Sequence, residues 1–197
     1  MVTTDRGQGH TLEGIAAALL VLSSLVFALQ VTAVTPLTAS TASQHVETQY
    51  RGATQGALAI AAADGDLKTT LLYWNEEEAT FHGASIEGYY IGRGPPTAFG
   101  TLLNETYDAT GVAYNVNLVY VTGSGELQER RLVHFGEPSD TAVTASRSVA
   151  LYDTDELLQA DHTPSSETLG ETSFYAPDAY EGALYNVVVV EVTVWRM

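Results

Sequence analysis

Between Gly14 and Val34 the chain reads "GIAAALLVLSSLVFALQVTAV", 21 residues without a formal charge. Coiled as a helix at ~1.5 Å per residue, this run extends about 31 Å, the thickness of a bilayer's hydrocarbon core. It has the length to cross a membrane, and everything after it must be read as the part that does not. A secretory signal peptide carries a shorter apolar core, of about 7 to 15 residues, behind a basic leader. Here the leader "MVTTDR" offers Arg6 offset by Asp5. We therefore read a retained anchor, with a signal-peptidase cut in the small residues of "TASTAS" as the alternative.

Glu13 stands one residue before the apolar run. A carboxylate drawn toward lipid costs about 2.5 to 3.5 kcal/mol on insertion scales unless it finds a partner. Either a partner meets it, or it stays at the interface, hydrated among headgroups. Beyond the membrane, Pro36 interrupts the pattern. "LTASTASQHVETQYRGATQGALAIAAADGD" then resumes in helix-forming Ala, Gln and Leu until Gly65 offers a stop. The expectation is a helix from about His10 to Ala63, kinked near Pro36 and roughly 80 Å long.

The charge is lopsided: 24 Asp plus Glu against eight Lys plus Arg, with Lys68 the one lysine. Of the acids, 22 lie after residue 45, so the charge belongs to the part behind the apolar run. Such a surface repels nucleic-acid phosphates, and no nucleic-acid partner is expected. Disorder is the usual alternative for a highly charged chain. With 16% charged and 45% hydrophobic residues, this one should fold. An acid-rich, nearly lysine-free surface suits very high salt, where a Debye length of about 3 Å at 1 M damps self-repulsion, and we read it as that of a halophile. There is no cysteine, which rules out disulfides, thiolate metal sites and lipidated cysteine.

After Gly65 the periodicity turns from helical to alternating. In "GVAYNVNLVYVT", Val112, Tyr114, Val116, Leu118 and Tyr120 share one face, with Asn115 and Asn117 on the other. "GSGE" turns the chain into "LQERRLVHF", a hairpin partner. "AVTASRSVALY" alternates again, with Val143, Ala145, Val149 and Leu151 together, and "YNVVVVEVTVW" reads as a central strand. "LKTTLLYWN" and "SIEGYYIG" supply two more expected strands, while "GRGPPTAFG" and "DHTPSSETLGET" read as loops. The fold class is α+β: a long N-terminal helix packed on an antiparallel β-sheet or small β-sandwich, because either amphipathic layer alone would leave its apolar side in water.

No catalytic signature is present: no H-E-x-x-H, no G-x-S-x-G, no Walker loop and no thiol. No enzyme, cofactor or metal is expected. The five histidines, His10, His45, His82, His134 and His162, are not spaced as metal pairs. "YDTDELLQAD" gathers Asp153, Asp155, Glu156 and Asp161, oxygen ligands without the spacing of a calcium loop, and a solvated acidic loop is the simpler reading. Glu76, Glu77 and Glu78 read as a salt-adapted turn. "GRGPPTAFG" has glycines but no following helix to hold phosphate. Asn104 heads the one N-x-S/T sequon, in a polar stretch suited to surface glycosylation, and Tyr89 and Tyr90 serve either surface contact or core packing.

"RGQGHTLEG" followed by an apolar helix resembles the class III signal of type IV pilin-like proteins. The longer "RGQGHTLEGIAAALLVLSSLVFALQVTAVTPL", with "LYWN", "FHG", "AYNVNL", "FYAPD" and "YNVVVVEVTVWRM", is similar to a haloarchaeal pilin-like family of unknown function. The resemblance implies a leader-like segment (1–8), a transmembrane helix (9–36), a helical stalk (37–64) and a β-rich extracellular domain (65–197). It implies processing by a prepilin peptidase at Arg6, Gly7 and Gln8, and single-pass insertion in the cell membrane. It further implies packing with other pilin-like subunits, in which Glu13 pairs with a neighbour's freed amine. A cut after Gly7 makes Glu13 the sixth mature residue and a cut after Gln8 the fifth. The Ser-Pro of many archaeal major pilins is missing, so a minor or accessory subunit is the expected role.

Overall fold

The computed structural model describes the backbone of residues 4–108 and 111–197, and the side chains of residues 12–29, 44–108 and 111–197. The chain forms two compact units, residues 1–46 and residues 47–197. Helix α1 spans Thr4–Ala63 and contributes to both. The expected bend at Pro36 falls outside the described side chains.

Within the first unit, Leu12–Leu29 is an apolar helical segment with none of its residues buried. Ile15, Leu19, Leu22, Val26, Leu20 and Phe27 all lie exposed, on every side of the helix. A segment apolar all round, with no core of its own to enter, has the pattern of a helix solvated by lipid. Ser24 satisfies its hydroxyl locally by donating to the carbonyl of Val21, at 2.8 Å.

The second unit begins with the last turns of α1. Thr54, Ala57, Leu58 and Ala61 are buried at helical spacing, so one stripe of the helix enters the core. Thr54 gives its proton to the Tyr50 carbonyl and so receives the Tyr107 hydroxyl proton at 2.7 Å. Gly65, at φ +84°, ends the helix in the left-handed region that suits glycine.

A second helix, α2 (Asp66–Leu71), follows at once, where the sequence suggested a strand. Leu67, Thr70 and Leu71 fall on one helical face and are buried, and this local period wins over the β-branched composition of "LKTTLLYWN". Only Trp74–Asn75 of that segment is strand, β1, paired with β2 (Thr80–Phe81) in a small ribbon. "SIEGYYIG" is likewise mostly turn, with Tyr90–Ile91 as the two-residue β3.

Helix α3 (Ala98–Tyr107) was not expected. Thr97 caps it by accepting from the Gly100 amide, and the Thr97 hydroxyl also bonds that of Thr70 at 2.7 Å, tying α3 to α2. Gly100 has no alternative residue: a Cβ there would sit 1.9 Å from the Pro95 carbonyl oxygen.

The sheet itself follows the sequence closely. β4 (Val112–Val121), β5 (Leu127–His134), β6 (Val143–Tyr152) and β9 (Leu184–Arg196) join β3 in the order β3-β5-β4-β9-β6. All its pairings are antiparallel except the short parallel β3–β5 contact, so the fold is α+β, built on a five-stranded mixed sheet with two-stranded ribbons beside it. β9 is interior, between β4 and β6, as its valine pattern required. Val188, Val190, Val192 and Val194 are buried on the face shared with Tyr114, Val116 and Leu118 of β4. "GSGE" makes the β4–β5 turn, closed by the Thr122 amide donating to the Glu126 carbonyl. Part of "DHTPSSETLGET" is not loop: β8 (Pro164–Thr168) pairs with β7 (Glu156–Leu158) in a second ribbon.

Candidate functional site

In the first unit the feature that can act is the apolar segment with a carboxylate at its entrance. Glu13 is exposed, in helical backbone, one residue before Gly14, whose missing side chain leaves open space. Arg6, Gly7, Gln8 and His10 lie outside the residues with described side chains. What this arrangement can do is enter a low-dielectric medium and bring one negative charge to its edge, where a cation would stabilise it.

In the second unit, residues far apart in sequence converge between the two ribbons. A cleft of about 520 Å³ is lined by Trp74, Asn75, Glu76 and Glu77 from the first ribbon, and by Leu157 to Ala160, Ser165 and Glu167 from the second. His82 closes one wall: its Nε2 lies 2.9 Å from the Leu158 carbonyl. A carbonyl only accepts, so Nε2 donates in this contact. Beside it the Tyr73 hydroxyl donates to the Ala160 carbonyl at 2.9 Å, and the Tyr73 ring stacks on His162 at 4.6 Å and leans on His82 at 4.9 Å. The histidines that looked scattered are thus brought to one tyrosine in two cases. His134 instead meets Tyr89, and His45 is exposed on α1. No sequence spacing announces the cleft, because its two walls are about eighty residues apart and meet only through ribbon packing.

Behind this cleft Arg130 lies with its guanidinium 4.7 Å from the Trp74 ring and 5.8 Å from that of Tyr175. It donates to the Ala79 carbonyl at 3.2 Å. The cation holds the first ribbon against β5 through ring faces rather than through a carboxylate. Glu76, expected in a solvated turn, has one oxygen fixed: Oε1 accepts from the Ser173 amide at 2.7 Å, while the Trp74 indole donates to the Ser173 carbonyl.

The acidic loop does not converge on a point. Asp155 pairs with Lys68 at 2.7 Å and accepts from the Tyr152 amide. Asp161 turns to its own neighbour Thr163, which holds its carboxyl below the usual carboxylate range. Among the described residues no three His, Cys, Asp or Glu gather as a metal site would require.

Asn104 sits on α3, not in a loop. Its Oδ1 accepts from the Tyr114 hydroxyl at 2.7 Å and the Gly94 amide at 3.1 Å, so the side chain that a glycan would occupy through Nδ2 already braces α3 against β4. Tyr90 is buried and donates to the His82 carbonyl at 2.6 Å; burial pushes its phenol well above the ordinary value. Tyr89 is half-buried under Arg131. Of the glycines of "GRGPPTAFG", Gly94 and Gly100 serve the close approach of Gly94 and Pro95 to Gly100.

One apolar N-terminal helix long enough to cross a membrane, of the kind that serves as anchor or signal sequence, followed by an α+β domain, defines the class of this protein. Within that class, the chain belongs to a family of unknown function, DUF7288, whose profile matches residues 6–194. No curated protein and no solved structure matches it.

Proposed function

We propose that this chain is a non-enzymatic, membrane-anchored pilin-like subunit, a minor pilin or pseudopilin, of a haloarchaeal cell-surface or secretion filament. The observation that carries the reading is the Leu12–Leu29 segment: helical, apolar all round, unburied, and part of the same helix whose later turns enter the sheet's core. An element that serves as both lipid-phase rod and domain spine suits a subunit held in a membrane until it packs with others. In this reading the helix crosses the cell membrane once, the acidic domain faces outside, and Glu13 meets the freed amine of a neighbouring subunit. The resemblance of "RGQGHTLEG" to a class III signal supports a cut beside Arg6 and Gly7 by a prepilin peptidase.

The test is the intact mass of the protein from its own membranes, with and without that peptidase. A mature N-terminus at Gln8 or Gly9, lost when the peptidase is absent, supports assembly. A chain that keeps Met1 or Val2 refutes processing and leaves a monomeric, single-pass surface binding protein. That second reading has an observation of its own in the cleft between the ribbons, which a purely structural subunit does not need.

A further inference from the structure

We infer that the cleft between the two ribbons binds a basic side chain, arginine or lysine, carried on an extended segment of a partner polypeptide. The ionic groups lining the cleft are of one sign: Glu76, Glu77 and Glu167, with no lysine or arginine among them. Glu76 spends only Oε1 on the Ser173 amide, so its second oxygen is available. A guanidinium or ammonium brings only donors, and these groups only accept. Between them Leu158, half-buried, and Ala160, exposed, offer a short apolar stretch against which a methylene stem can lie while its charged head reaches the carboxylates.

Size favours a segment over a lone ion. At about 520 Å³ the cleft lies within the roughly 300 to 1,000 Å³ range of sites that enclose organic ligands, too roomy for a bare metal ion held by direct ligands. Hydrogen bonds to neighbouring backbone hold its walls in place. The Leu158 amide donates to the Leu72 carbonyl, and the Trp74 indole is held by Ser173. Two bases of the same unit are engaged elsewhere: Arg130 with the Trp74 ring and the Ala79 carbonyl, and Lys68 with Asp155. The inference does not depend on filament assembly, and its failure would leave that reading untouched.

The experiment uses the full chain in detergent micelles, labelled with ¹⁵N at the tryptophan indoles. The two signals arise from Trp74, at the cleft, and Trp195, on β9. Acetyl-Gly-Arg-Gly-amide should shift the Trp74 signal saturably and leave Trp195 in place. The Glu77→Gln, Glu167→Gln double variant replaces two exposed carboxylates that bear no described side-chain bond to the fold. It should bind about tenfold more weakly. Acetyl-Gly-Gln-Gly-amide should produce no saturable shift. Equal binding by the double variant, or an equal response to the glutamine peptide, overturns the proposal. Ethylguanidinium binding as tightly as the arginine peptide overturns the polypeptide source and assigns the cleft to small organic cations.

Discussion

Leu58 and Ile60 sit two residues apart on α1, yet one is 1% exposed and the other 55%. If the helix docks through the stripe of Thr54, Ala57, Leu58 and Ala61, truncating the two side chains must have very different consequences. Leu58→Ala removes a fully buried side chain and leaves a cavity that helix, α2 and sheet together cannot close, at a cost of about 2–5 kcal/mol. Ile60→Ala removes a side chain that is mostly in solvent and inserts a better helix former, which keeps its effect within about 0.5–1 kcal/mol. Urea unfolding of the full chain in detergent reads the difference through Trp74 and Trp195, both of which lie in the second unit. With a slope of about 1–3 kcal/mol per molar urea, Leu58→Ala should lower the midpoint by on the order of 1–2 M. Equal shifts for the two variants, or a larger one for Ile60→Ala, would refute the docking of this helix by that face. The reading of α1 as the domain's spine would fall with it.

Three further outcomes follow from single sites. Gly100→Ala should destabilise by about 3 kcal/mol or prevent folding, because the new Cβ would meet the rigid Pro95 backbone 1.9 Å away; a wild-type urea midpoint would contradict the α3 geometry. Asn104→Ala should cost about 1–3 kcal/mol by leaving the buried Tyr114 hydroxyl without its acceptor, whether or not a glycan is attached, whereas Thr106→Ala abolishes the sequon with little effect on the urea midpoint. Tyr90, Tyr114 and Tyr175 are held neutral chiefly by burial, with phenol values raised above the ordinary 10. Their contribution is complete below about pH 10 and is lost as pH climbs from there toward the raised folded values, at about 1.4 kcal/mol per tyrosine per pH unit. Stability measured from pH 8 to 12 should therefore be flat and then fall, together with phenolate absorbance.

Strands that alternate over ten residues were legible in the sequence because a half-buried sheet imposes that period on every position; β4, β6 and β9 fall where their valines and tyrosines put them. The end of α1 was legible for a similar reason, since Gly65 is the residue the left-handed stop demands. What could not be read was local structure decided by packing at a distance. The segment "LKTTLLYWN" has strand composition, and only burial of Leu67, Thr70 and Leu71 on one side makes it a helix. α3 hides behind Gly94, Pro95 and Pro96, whose turn residues mask a capped helix beginning two positions later. Asn186 is the sharpest omission. It is fully buried, and its amide bonds the Val121 and Pro177 carbonyls, so one polar residue in a valine run joins β4, β9 and the "FYAPD" loop. The cleft was illegible for the same cause, because Glu76 and Glu167 become neighbours only after both ribbons have formed.

The distribution of charge sets a last expectation. The second unit carries most of the 24 carboxylates, has no disulfide to hold it, and forms one ion pair between described partners, Lys68 with Asp155. Paired charges therefore do not explain its stability. The favourable terms are the apolar core and the aromatic cluster of Trp74, Phe81, Phe174 and Tyr175. Opposing them is repulsion among acids spread over the surface, which acts across about 10 Å at 0.1 M salt and only about 3 Å at 1 M. Raising KCl from 0.1 to 1 M should thus raise the urea midpoint steeply, and raising it further should add little, because the repulsion is by then already screened. Sucrose at matched osmolality should not reproduce the steep part. A midpoint that is flat or falls between 0.1 and 1 M would show that the acidic surface imposes no such penalty, and the argument that this fold is adapted to concentrated salt would fail.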